Sequence, residues 1–278
     1  MSELGQKIKA DILEAIENDS LVLPTLPEIA LNVREITEDE NSGLMDLIEV
    51  INKDTALSAR ILKVSNSPLF RGANEISNLN MAVNRLGMQY TSSLAMGLAM
   101  EQMFQATSEM IDVRMRDTWK RSTEVAGVCN VLARKHSHLA PGQATLAGLV
   151  HSIGALPILK YVEDNDVAIN SIMLDNLLDE LQPVVGTKIL EHWDFPKELR
   201  NVPAECVNFS RTVQRADYAD LVMVGLLQSY QGTNHHYTEM DWHHISAFER
   251  VGVNPDAEAD EDEDLTAEME AAMALLNV

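Results

Sequence analysis

The 278 residues carry 21 Lys and Arg against 43 Asp and Glu, a formal charge of −22 at pH 7. A surface this acidic argues against binding nucleic acid or an anionic membrane, because affinity for phosphate backbones comes mainly from basic residues. No run approaches the roughly 20 apolar residues of a membrane-spanning helix, and two isolated cysteines, Cys129 and Cys206, fit a reducing cytoplasm better than a disulfide scaffold.

The pattern is helical throughout and predicts an all-α fold. Ile8, Ile12 and Ile16 recur at i, i+4 spacing and predict an amphipathic helix within residues 1–20. In TLPE, Thr25 is the expected N-cap, with Pro27 in the first turn and Glu28 completing a capping box; Ile29, Val33 and Ile36 supply the buried face. Ser42 and Asp54 read as caps of two further helices, and Gly87 as the end of a fourth. The stretch MQYTSSLAMGLAMEQMF is a fifth, whose small residues let neighbouring helices approach closely. A mild change of composition near residues 105–112 divides two helical lobes. Asp117 or Thr118 is the expected start of WKRSTEVAGVCNVLARKH, and Pro157 is expected to kink or interrupt the helical stretch 143–162. A helix ends in ILEHW before Phe195-Pro196, and a largely apolar one runs from about Asp217 to Gln231. Nine acids follow Val251 with no Lys or Arg among them, giving an acidic linker and then a short amphipathic helix capped by Thr266.

Four motifs, LPTLPE, KDTALSARIL, SNSPLF and AVNRLG, fall in order between Leu23 and Gly87. With TWKRSTEVA, AGLVHSIG, GTKILEHWDFP and DYADLVMVGLL they resemble the HDOD domain, an HD-related output domain of bacterial signalling proteins. The resemblance covers about residues 21–231. It implies an N-terminal helical lobe (21–108) and a degenerate HD-like lobe (109–231), with a C-terminal extension (232–254) and the acidic tail (255–278) outside it.

Catalytic HD phosphohydrolases hold divalent metals with a His, a His-Asp pair and a later Asp. Such groups neutralise a hard dication and let it lower the pKa of a bound water. The resemblance carries those positions onto Arg121, His151-Ser152 and Gly225, and a further frequent His onto Gln182; a shifted alignment offers Asp217 or Asp220 for the later Asp. Arg121 repels a metal: two charges about 4 Å apart interact by roughly 4 kcal/mol at an effective dielectric of 20. The hydroxyl of Ser152 is not ionised near neutral pH and is a poor ligand. The expectation is a non-catalytic signalling or scaffold module without cofactor or metal, acting through protein partners. Two alternatives stand beside it: a residual metal-dependent HD phosphohydrolase, and a module binding a small anionic ligand such as a nucleotide through Arg121 and His151.

Other constellations read first as ordinary structure. In NHHYTEMDWHHIS, His235, His236, His243 and His244 form a polar surface segment, with Glu239 and His243 at metal-binding i, i+4 spacing if helical. Asp175, Asp179 and Glu180 read as a solvated helix face, and Met88, Met96, Met100 and Met103 as core filler. A partner surface is expected around Asn66, Phe70, Arg71 and Arg85, where a turn-prone break meets an aromatic and two cations. The other reading of these residues has Asn66 capping a helix and Phe70 filling the core. The acidic tail could cover that surface as an internal competitor through Arg71 and Arg85.

Overall fold

The computed structural model describes residues 3–18, 22–70, 72, 74–136, 138–255 and 263–273, and among them every regular element is helical, with no strand. The chain opens with α1 (Glu3–Glu17), whose Ile8 and Ile12 are buried as their spacing requires. Residues 22–27 then run extended, and α2 (Glu28–Glu38) begins at Glu28 with Pro27 at its N-cap and no side-chain cap bond. The capping box expected at Thr25 therefore does not form. Pro27 has φ −55° and ψ 143°, outside the helical well, and proline also disfavours helical backbone at the residue before it.

α3 (Leu44–Asn52) starts one residue later than expected. Gly43 is its N-cap, and its N–H donates to Asp46 at 2.8 Å, while the Ser42 hydroxyl is engaged by Asp39 at 2.8 Å. Asp54 caps α4 (Thr55–Ser65) by accepting from the Leu57 N–H at 2.9 Å. Next come α5 (Leu79–Leu86), ended by Gly87 at φ +84°, and α6 (Met88–Ala99), buried from Thr91 onward. α6 packs on α2 and reaches across to the second lobe, so the hydrophobic core is continuous through both. Met96 and Met100 are core residues there, as their stripe implies.

α7 (Glu109–Ala133) is the axis of the second lobe. It does not start at Asp117 or Thr118: Ser108 caps it, and Ile111, Met115 and Trp119 carry one buried stripe straight through those residues. α8 (Pro141–Val150) and α9 (Ala155–Asp164) are separated by the turn 151–154, so the break precedes Pro157, which occupies the first turn of α9, where its missing N–H costs nothing. This apolar stretch is largely buried. α10 (Ser171–His192) ends at Trp193 as expected and packs on α9 and α1, and short α11 (Lys197–Arg200) and α12 (Val202–Glu205) follow. α13 (Tyr218–Ser229) is capped by Asp217. The C-terminal extension is part of the same core: α14 (Ser246–Val251) packs on α13 and buries Phe248 and Val251. α15 (Glu263–Met273) starts three residues before Thr266, which is therefore no cap, and lies along α7 with Met269 and Ala272 buried. The acidic residues 256–262 are outside the described residues.

α7 and α8 meet at glycine. A Cβ on Gly148 would stand 2.4 Å from the Cα of Ala126, so the two backbones touch where only glycine fits. Gly148→Ala forces the helices apart and is expected to lose about 1–3 kcal/mol, the usual cost of overpacking a filled core, measured by denaturant unfolding.

Candidate functional site

The second lobe contains a cleft of about 640 Å³ between α7, α10, the turn after α8 and residues 230–237. α7 presents Arg114, Thr118 and Arg121 to it, at the 3–4-residue spacing of one helix face. His151, the first residue after α8, lies at its floor and is 3% exposed. Its Nδ1 is 2.7 Å from the Gly148 carbonyl oxygen; since a carbonyl only accepts, Nδ1 carries the proton. Burial, with the nearby Arg121 cation adding to it, pulls the His151 pKa down to about 4. The ring is therefore neutral at pH 7, with a bare Nε2.

Arg121 is held in place by neighbours rather than left reaching into the cleft. Its Nη1 donates to the Ser229 carbonyl at 2.6 Å and to the Ser229 hydroxyl at 3.2 Å. Its guanidinium lies 3.8 Å from the ring centre of Tyr230, and the His235 ring stacks at 3.7 Å from the same centre. Two planar groups this close to one centroid take opposite faces, so Tyr230 is sandwiched between them. Ser152 is buried and its hydroxyl is hydrogen-bonded to that of Ser122 on α7. Gln182 lines the cleft from α10.

The three candidates for the later Asp position, Gly225, Asp217 and Asp220, do not come together with these. Gly225 packs on Val125 and Val128 of α7 at a helix crossing, each about a van der Waals contact from where its Cβ would stand, while Leu226 and Tyr230 are the residues of that segment that line the cleft. Gly225 is thus a packing glycine. Asp217 and Asp220 are outside the cleft lining and are engaged in a buried ionic cluster. Asp217 accepts from Arg211 at 2.7 and 2.9 Å; Asp220, 0% exposed, binds Arg211 and takes two bonds from Arg250 at 2.7 and 2.8 Å. Neither carboxylate is available to a metal beside His151.

The residues expected at a partner surface make internal contacts. The Asn66 side chain donates to the Ile76 carbonyl and accepts from the Ile76 N–H, both at 2.7 Å, clamping the loop after α4. Phe70 packs on Tyr90 at 5.0 Å under the Arg134 guanidinium, and Arg85 donates to the carbonyls of Ser65 and Asn74. Arg71 lies outside the described residues. The tail helix rests on α7, where a Cβ on Gly127 would strike the Ala272 carbonyl at 2.1 Å.

The histidine segment lies at the surface as expected, with His236, His243 and His244 exposed and His235 half-buried, but its metal-type spacing is not realised. Glu239 and His243 fall in separate 3₁₀ turns, His236–Glu239 and Trp242–His244, and so share no helix face. Asp179, His235 and His236 instead gather at the mouth of the cleft, each with a ligand-type atom within 4.8 Å of the others. Sequence spacing could not reveal this, because Asp179 belongs to α10 and the histidines to the extension. Burial, with His236 and Arg121 adding to it, lowers the His235 pKa to about 4; burial raises that of Asp179.

The HDOD domain family model matches residues 23–208. A crystal structure of a Shewanella amazonensis protein, named as a candidate metal-dependent phosphohydrolase, aligns over 98% of this chain and 100% of its own at 29% identity, with a TM-score of 0.83. An HDOD domain protein of unknown function from Geobacter sulfurreducens shares the fold at 18% identity, with a TM-score of 0.62 over 98% of this chain and 96% of its own. An uncharacterized protein of Treponema pallidum is 21% identical over 206 residues, which is 70% of this chain; the chain spans 39% of that protein's length. The motif order, the all-helical two-lobe architecture and the family match agree, and the chain belongs to the HDOD domain family.

Proposed function

We propose that this chain is a non-catalytic signalling or scaffold module that works through protein contacts. One observation carries the reading: of the groups standing where an HD enzyme keeps its metal ligands, His151 alone is of a ligating type. Arg121 adds a cation beside it, the Ser152 hydroxyl is engaged by Ser122, and the carboxylates that a shifted alignment offers, Asp217 and Asp220, are committed to Arg211 and Arg250. A catalytic metal needs several deprotonated ligands at once. The expected result is that no divalent metal measured by elemental analysis is lost on His151→Ala; a stoichiometric metal that disappears in that variant would overturn the reading.

A residual metal-dependent phosphohydrolase is the second reading, favoured by the description of the Shewanella relative. The third, a site for a small anion, is weakened by local charge. Arg114 is paired with Asp175 and Lys120 with Glu124, and Arg121 is held by Ser229 and Tyr230, so an anion would have to displace existing partners.

A further inference from the structure

We infer that Asp179, His235 and His236 form a binding site for a zinc-type divalent cation at the rim of the cleft, joining α10 to the C-terminal extension. The proposal does not depend on what the cleft itself binds. Two imidazoles and one carboxylate are the donor types that borderline metals such as Zn²⁺ prefer, and three protein ligands leave a fourth position for water or another donor.

The geometry is close to what such an ion requires. The three ligand atoms lie within 4.8 Å of one another, with His236 Nδ1 3.9 Å from Asp179 Oδ2. A tetrahedral site with bonds of about 2.0–2.1 Å needs ligand atoms about 3.3 Å apart. Rotation of exposed side chains closes that gap: Asp179 and His236 side chains are 36% and 56% exposed.

The surroundings also single out this carboxylate. α10 presents three acids in one stretch. Asp175 is paired with Arg114 and Glu180 with Lys9, whereas Asp179 faces His236. The histidines are positioned in advance. His235 is stacked on Tyr230 and its Nδ1 accepts only a long 3.3 Å bond from the Tyr237 N–H, while His236 opens the 3₁₀ turn that fixes its backbone.

The test is titration of the chelator-treated full-length chain with Zn²⁺ by calorimetry, with melting temperature as a second readout. One equivalent is expected to bind and to raise the melting temperature, because an ion bound only by the folded state stabilises it. Asp179→Asn and His236→Ala are expected each to weaken binding by more than the roughly 10–100-fold typical of losing an outer-shell partner. Both residues are at the surface, so circular dichroism should be unchanged. His151→Ala and His244→Ala are expected to bind as the wild type does. No saturable one-equivalent binding, indifference to Asp179→Asn and His236→Ala, or loss of binding in His151→Ala or His244→Ala would each overturn the proposal.

Discussion

Replacing Asp220 by asparagine is expected to destabilise the fold by about 3–5 kcal/mol, the range found when one partner of a buried ion pair is removed. Asp220 is 0% exposed and is the carboxylate shared by Arg211 and Arg250, so its loss takes from Arg250 its carboxylate partner and leaves Arg211 with Asp217 and Glu205, which lie nearer the surface. The cluster joins three segments: α13 through Asp220, the loop before it through Arg211, and α14 through Arg250. Unfolding of α14 should accompany the loss, because the Arg250 pair is one of its anchors to α13. Glu205→Gln is the control. Glu205 also meets Arg211, at 3.1 Å, but its side chain is 39% exposed, and exposed pairs contribute about 0–1 kcal/mol. Equal, small effects for both substitutions in denaturant unfolding would show that the cluster adds nothing.

The second large effect is acid destabilisation through His151. Its folded-state pKa is about 4 against 6.5 for the free side chain, because the folded protein holds the neutral ring in a buried place. The unfolded chain therefore takes up the proton first. The stability this group contributes is complete above pH 6.5 and is lost as pH falls toward 4, by about 3 kcal/mol in total. Asp217 acts in a different window. Its carboxyl is lowered from 3.8: burial opposes ionisation, but the bonds and charge of Arg211 outweigh it, so its contribution is lost only below that pH. His235 shifts in the same sense as His151 but is half-exposed. Comparing wild type with His151→Gln, whose amide can still donate to Gly148, isolates the His151 part. The variant should lose less stability between pH 6.5 and 4 than the wild type; identical slopes would contradict the buried neutral state.

Much of the fold was legible because helix periodicity and local caps are short-range signals. Ile8 with Ile12, the Asp54 cap, the terminal Gly87 and the span from Asp217 toward Gln231 all needed only neighbours in sequence to be read. The misreadings have local causes as well. Pro27 takes an extended conformation that prevents the Thr25 box, and the helix start expected at Asp117 or Thr118 is overridden by a buried stripe that runs from Ile111 through Trp119. The site was legible only in part. His151, Ser152, Arg121 and Gln182 come together in the cleft as the family motifs suggest. What spacing could not supply was the long-range pairing: Asp220 with Arg250, Tyr230 between Arg121 and His235, and Asp179 with the two histidines. Each joins segments that meet only after the helices have packed.

On the function proposed here, the His151 cleft does not support metal-dependent phosphate chemistry. The direct measurement is hydrolysis of an activated phosphodiester, bis(p-nitrophenyl) phosphate, by the full-length protein supplied with Mg²⁺, Mn²⁺ or Zn²⁺, beside the His151→Ala variant. The expected result is no metal-dependent turnover above the metal-only blank, and no difference between the two proteins. Turnover that requires the metal and disappears in a correctly folded His151→Ala protein would contradict the claim.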